Sequence, residues 1–259
     1  MRIKLTLTQT KPKQLIPSSY HHAVASFIYR TIEKSDPQYS QWLHSKGFQD
    51  GNKKFKFFNF SDFYIPERNF MHNKIEILSN NFTLNVSMLS DQTTEHLIIG
   101  MFQSGKMKIF DNQTVAEFNV KFIETVPEPD FNETMRYRIL TPVVLSKKIL
   151  KNEKDYVYYL EPGEDDYNLY FVNNLLAKYK IYSGAEIINP QAKFEFKILS
   201  DFKKELRTLI TGENSESKIR GYKYEFELKA PPDIHRMLWM SGIGIKNSMG
   251  FGFVGTAKK

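Results

Sequence analysis

The sequence predicts an α+β chain of two tandem β-α-β-β-α-β units, that is, two ferredoxin-like folds in succession. Three observations lead there. The same order of strand and helix signals occurs twice along the chain. The two runs are separated at Val126-Pro127-Glu128-Pro129-Asp130, where prolines flanking acids break helix and strand alike. The length of 259 residues suits two units of about 130 residues each, placed at 1–126 and 134–259. The doubling rests on element order, because internal identity between the halves is slight.

In the first unit, residues 2–9 put Ile3, Leu5 and Leu7 on one face, the alternation of a half-buried strand. Val24, Phe27, Ile28 and Ile32 then recur at helical spacing, with Ser18 or Ser19 as N-cap. Asp36-Pro37 opens a short second helix as N-cap plus first-turn proline, and Gly47 ends it. Residues 53–63 read as strand, and 74–78 and 82–88 as a strand pair joined by Ser79-Asn80-Asn81. A helix runs from Ser90 or Asp91 to about Gln103 with Gly105 near its end, followed by strands 106–110 and 115–125. In the second unit, 135–145 is a strand and 165–180 a helix with Leu169, Val172, Leu175 and Leu176 on one side. Residues 191–199 and 219–229 are strands, with 206–211 as a third candidate. Pro231-Pro232-Asp233 opens a helix ending near Ser241, and 250–256 is the last strand.

Composition narrows the function classes. Hydrophobic residues at 41% and charged residues at 25% describe a globular chain rather than a disordered one. No run approaches the roughly 20 apolar residues of a membrane helix, and the start lacks the apolar block of a signal peptide, so a cytoplasmic protein is expected. The absence of cysteine removes disulfides, thiolate nucleophiles, iron–sulfur clusters and most structural zinc sites. No histidine pair has the i, i+4 spacing of a helical metal site, so no metal or cofactor is expected. Lys plus Arg number 36 against 29 Asp plus Glu, a formal +7 that suits a polyanionic partner. The 21 Phe, 14 Tyr and 2 Trp add stacking platforms for nucleic acid.

The most informative stretch runs from Gly242 to Val254, where Gly242, Gly244, Gly250 and Gly252 surround Lys246, Asn247 and Ser248. Such a loop allows close approach of a phosphate to backbone N–H groups. It is not a P-loop, because Lys246 is followed by Asn247 with no glycine before it. It is not a dinucleotide fingerprint either, since only four residues follow Gly255 and no helix can receive a pyrophosphate. A glycine-rich turn feeding an edge strand is the competing structural reading.

The loop resembles the C-terminal G-x-G-x(5)-G-x-G signature of the RAMP superfamily of CRISPR RNA-binding proteins. The segments Ser26-Phe27-Ile28-Tyr29-Arg30, Phe57-Phe58-Asn59-Phe60-Ser61 and Thr141-Pro142-Val143-Val144-Leu145 are similar to its Cas6 branch, the pre-crRNA-processing endoribonucleases. The resemblance covers nearly the whole chain. It implies two ferredoxin-like domains, metal-independent cleavage of CRISPR repeat RNA, and RNA binding by Gly242, Gly244, Lys246, Asn247, Ser248, Gly250 and Gly252. In-line cleavage by the 2′-hydroxyl needs a base, an acid and a group that stabilises the phosphorane. The family fills these roles with a Tyr, a His and a Lys, and the matching positions are Tyr29, His44 and Lys56.

Tyr29 has independent support, lying roughly 130° from the centre of the apolar stripe of its helix at about 100° per residue. His44 lies at the C-terminal end of the short helix, where a protonated imidazole is favoured by the dipole. Lys56 sits in a basic and aromatic strand, with Lys54 on the same face as an alternative. His21 and His22 are alternatives to His44, since His22 is one heptad before Tyr29. The expected partner is CRISPR repeat RNA, with interference-complex subunits or a second copy as further possible partners and no membrane. The alternative function is a catalytically silent RAMP subunit that holds guide RNA.

Overall fold

In the computed structural model every residue is described except 52, 152–153, 186–193, 212–214 and 258–259. The first half contains β1 (Arg2–Gln9), β2 (Leu15–Pro17), α1 (His21–Ser35), α2 (Pro37–Ser45), β3 (Phe48–Asp50), β4 (Lys53–Phe55) and β5 (Phe58–Phe60). It continues through β6 (Arg68–Met71), β7 (Lys74–Ile77), β8 (Asn81–Met88), α3 (Asp91–Ser104), β9 (Lys106–Phe110) and β10 (Val115–Thr125). The second half holds β11 (Thr134–Ile139), β12 (Ser146–Lys151), β13 (Lys154–Tyr159), α4 (Tyr167–Ser183), β14 (Glu195–Ile198) and β15 (Lys203–Thr211). Then follow β16 (Ser215–Lys223), β17 (Glu225–Lys229), α5 (Pro232–Ser241), a 3₁₀ turn at Asn247–Met249, and β18 (Val254–Thr256).

Two sheets repeat one topology. The first is ordered β5-β8-β1-β10 with β9 added at the edge, and the second β14-β17-β11-β18. In both, the first strand of the unit is central and antiparallel to its third and fourth, the ferredoxin-like arrangement. The alternation in β1 does what its pattern predicts: Ile3, Leu5 and Leu7 are buried in a core shared with Val24, Phe27, Ile28 and Ile32 of α1. A second core gathers Tyr137, Phe226 and Leu228 of the second sheet with Phe171 and Leu175 of α4 and Leu238 of α5.

Several boundaries differ from the sequence reading, each for an identifiable reason. The N-cap of α1 is Tyr20, not Ser18 or Ser19; the chain before it is drawn into β2, which pairs with β7. Residues 74–78 and 82–88 are strands but not partners, because β7 pairs with β2 and β6 whereas β8 joins β1 and β5. The strand expected over 53–63 breaks at Lys56-Phe57, where Phe57 takes φ +53°. Residues 219–229 divide into β16 and β17 about Tyr224, and 206–211 lies within β15, the partner of β16. The hairpin of β12 and β13 was not anticipated, and β11 ends at Ile139 rather than 145. The strand expected over 191–199 begins outside the described residues and is strand over 195–198. The last strand is confined to Val254–Thr256, its expected first part being loop.

Helices α1 and α3 of the first unit touch through a glycine. A Cβ on Gly100 of α3 would stand 1.8 Å from the carbonyl oxygen of Thr31 in α1, a contact with backbone that no rotamer change relieves. Gly105, the left-handed C-cap of α3 at φ +60°, has open space around its Cβ position. Gly100→Ala is therefore expected to destabilise by roughly 1–3 kcal/mol through overpacking. Gly105→Ala should cost about 1 kcal/mol through its backbone alone. Urea midpoints at constant m-value measure both, and equal losses would show that the close helix approach is dispensable.

Candidate active site at the glycine loop

Three elements bring Tyr29, His44 and Lys56 together. The Asp36 carboxylate accepts from the backbone N–H of Tyr39 at 2.9 Å and starts α2, as its capping position requires. Ser40 Oγ donates to the Tyr29 carbonyl oxygen at 3.0 Å and ties α2 to α1. His44, exposed in the last turn of α2, thereby stands with its ring edge-on to Tyr29, centroids 4.9 Å apart. The hairpin of β3 and β4 returns the chain to the same place, and the Lys56 ammonium donates to the His44 carbonyl oxygen at 2.7 Å. Gly47 at φ +64° permits this return, because a Cβ there would meet the Phe55 carbonyl oxygen at 2.8 Å.

The electrostatics follow from partial burial. Burial raises the Tyr29 phenol well above its ordinary value, against a smaller opposing effect of its hydrogen bond with Ser248, so the hydroxyl stays protonated. Burial, then the charge of Lys54, lowers the Lys56 ammonium. Burial, then the charge of His44, lowers His22, which is exposed and on the same side. His21 is not part of this group. It is buried, 2.8 Å from Asp62 and 2.6 Å from Arg207, on the wall of a larger cavity of about 450 Å³ elsewhere. Lys54 keeps a place near the site through the cavity it shares with Lys56, not through a common strand face, since the strand ends at Phe55.

The glycine loop packs on the protein itself. Gly242, Gly244, Gly250 and Gly252 all have φ between +70° and +78° and are buried. A Cβ would meet the Asn59 amide at 2.1 Å from Gly242, the Val144 carbonyl at 2.4 Å from Gly244, the Phe60 ring at 2.6 Å from Gly250, and the Ile243 carbonyl at 1.9 Å from Gly252. The lack of a side chain at these four positions lets the loop pack against β5 and the chain at Val143–Val144. Asn247 is likewise a staple, its amide donating to the carbonyls of Ile243 at 2.8 Å and Phe251 at 2.9 Å. Of the seven loop positions, exposed Lys246 and half-buried Ser248 remain open to a ligand.

Two residues that the sequence reading missed hold this loop. Asn59 in β5 donates to the Phe251 carbonyl at 3.0 Å. Lys178 in α4 is 1% exposed and donates to the Gly242 carbonyl and to Asn247 Oδ1, both at 2.7 Å. The available signal was a lysine continuing the buried i, i+4, i+7 stripe of Phe171 and Leu175. Among the described residues no three His, Asp or Glu side chains converge as metal ligands, and no helix is long and apolar enough to cross a membrane.

Two tandem ferredoxin-like domains are closed by a buried C-terminal glycine loop, a fold shared with a solved protein described as a RAMP protein binding different RNA substrates, at a TM-score of 0.82 and 22% identity over 100% of both chains. The chain belongs to the Cas6 family of CRISPR-associated proteins: the Cas6 N-terminal model matches residues 15–122 and the Cas6 C-terminal model residues 126–256. It is 28% identical over 254 residues to the CRISPR-associated endoribonuclease Cas6 1 of Methanocaldococcus jannaschii, covering 98% of this chain and 92% of that one. A solved CRISPR associated protein Cas6 superposes with a TM-score of 0.78 at 26% identity, over 100% of this chain and 99% of the other. A Cas6-related protein from Pyrococcus furiosus shares the fold with a TM-score of 0.83 at 23% identity, over 100% and 99% of the chains.

The loop packing separates two kinds of substitution. Gly252→Ala should lower the melting temperature by several degrees or leave the chain unfolded, because both φ and the Ile243 carbonyl forbid a side chain. Lys246→Ala, at an exposed position, should leave it within about a degree. Thermal melts of the two variants decide this, and a harmless Gly252→Ala would mean the loop is not closed as described.

Proposed function

We propose that the chain is a metal-independent endoribonuclease that cuts CRISPR repeat RNA in the precursor transcript, in the cytoplasm, to give mature crRNA. The observation that carries this is the meeting of Tyr29 of α1, His44 of α2 and Lys56, just after β4, at one partly open place. In-line attack by a 2′-hydroxyl needs a base, and histidine is the side chain suited to take that proton near neutral pH. His44 takes this role. Its exposure lets RNA reach it, and the Tyr29 ring edge limits its rotation. The Tyr29 hydroxyl, kept protonated by burial, donates to the leaving 5′-oxygen as the P–O bond breaks. The Lys56 ammonium uses one donor on the His44 carbonyl and presents the others to the phosphorane oxygens. All three groups come from one chain, so the cut needs no second copy. In this reading residues 1–126 form the catalytic unit, and residues 134–259 supply the loop whose Lys246 and Ser248 meet the RNA.

Cleavage of a repeat RNA should proceed in EDTA and stop when the nucleotide 5′ of the cut carries a 2′-deoxy sugar. Activity lost to EDTA and restored by Mg²⁺ would overturn the mechanism. His44→Ala should slow single-turnover cleavage by roughly 10²- to 10⁴-fold with affinity nearly unchanged. Tyr29→Phe and Lys56→Ala should slow it as well. Normal cutting by His44→Ala with loss in His22→Ala would move the base to α1, and absence of cutting in the wild type would favour a silent RNA-holding subunit.

A further inference from the structure

Lys178 serves no step of the proposed cleavage, yet its setting is unusual. A lysine ammonium is fully buried only when something balances its charge, and the common solution is a carboxylate. Lys178 has none among the described residues. Its two hydrogen bonds go to neutral oxygens, the Gly242 carbonyl and Asn247 Oδ1. An ammonium carries three N–H donors, so one remains beyond these two oxygens, with the face of the Phe55 ring 5.7 Å from the nitrogen. Lys178 lines a cavity of about 170 Å³ between the chain at Lys54–Phe57 and the glycine loop. Lys54, Lys56 and Lys246 line the same cavity, and no acidic residue does. Lys178 and Asn247 are buried, whereas Lys54 and Lys246 are exposed. The arrangement is thus a pocket with a cationic floor and a cationic rim and no carboxylate among its lining residues.

Resting on the reading of the chain as an RNA-binding protein, we propose that this cavity is a phosphate subsite. It takes one backbone phosphate other than the one being cut, with the third Lys178 N–H on a phosphate oxygen and Lys246 closing from the rim. Burial alone lowers Lys178 to about 7, so the charge is held only weakly without an anion, and a bound phosphate would favour its protonated form. Occupancy also bears on the catalytic group. The Lys178 bond to Asn247 Oδ1 anchors the turn that carries Ser248, and Ser248 stands beside the Tyr29 hydroxyl. A phosphate in the cavity would therefore fix the loop beneath the tyrosine.

The experiment uses full-length protein and repeat RNA blocked by a 2′-deoxy sugar at the cut, so that binding is read without cleavage. The variants are Lys178→Gln, whose amide can still donate to the loop oxygens without charge, and Lys246→Ala. Lys178→Gln should weaken binding about tenfold to a hundredfold and reduce the slope of log affinity against log salt by about 0.7, one phosphate contact on a single strand. Inorganic phosphate, compared with chloride at equal ionic strength, should raise the melting temperature of the wild type and not of Lys178→Gln. Lys246→Ala should show a reduced effect in both measurements, and it carries the test if Lys178→Gln does not fold. Unchanged salt slopes overturn the proposal, and phosphate stabilisation without a change in RNA slope would make the cavity a site for free phosphate instead. A wild type that binds with these properties but does not cut would refute the nuclease reading and leave this one standing.

Discussion

The C-terminal loop is closed from inside by two amides and one ammonium, and both halves of the chain meet on it. Asn247 spans the loop from Ile243 to Phe251, Asn59 reaches it from the first sheet, and Lys178 reaches it from α4. Buried polar groups of this kind are costly when unpaired and specific when paired. Because the partners are backbone carbonyls, only one path of the loop satisfies them, and four left-handed glycines make that path available. The neighbourhood of Tyr29 inherits its order from this closure, through Ser248.

A second tie runs the other way across the seam. Arg2, the first residue of β1, is buried in the second unit, where it donates to the carbonyls of Trp239 and Val254 and lies over the rings of Trp239 and Phe253. Burial lowers it to about 9, which leaves it charged at neutral pH. On the far side, Arg207 and Lys223 of the β15–β16 hairpin meet Asp62 in an ionic cluster that also holds His21. The halves are joined by directional groups at both places, so their relative placement is set by geometry as well as by apolar contact.

The elements with strong local codes were legible in the sequence: β1 from its alternation, α2 from Asp36-Pro37, α3 from Ser90 and Gly105, and α5 from its prolines. Where tertiary pairing competes with local signals, the reading slipped. Ser18 and Ser19 look like helix caps, but the chain before them is spent on β2. Periodicity identifies β7 and β8 and cannot say that they belong to different sheets. Tyr29, His44 and Lys56 were singled out by resemblance, with the helical phase of Tyr29 as a sign of its own, and the structure brings the three together. Spacing singled out the four loop glycines, and the structure shows that their bare backbone packs against the protein itself, since spacing shows where a backbone must be bare and not what approaches it. Lys178 was hidden because a lysine on an amphipathic helix is ordinarily solvent-facing.

Phe57 and Phe58 are adjacent in the chain, and they face opposite ways. Phe57, in the left-handed region, belongs to the second core, and Phe58 to the first. The peptide between them is a hinge pin driven through both halves, and Lys56 is the residue immediately before it. A lysine so placed registers any sliding of one half against the other, because each core holds one of the two rings next to it. The chain at Lys56 is thus a gauge of how the halves are docked. A chimaera carrying a foreign second half would keep Tyr29, His44 and Lys56 and lose the core that seats Phe57 beside Lys56.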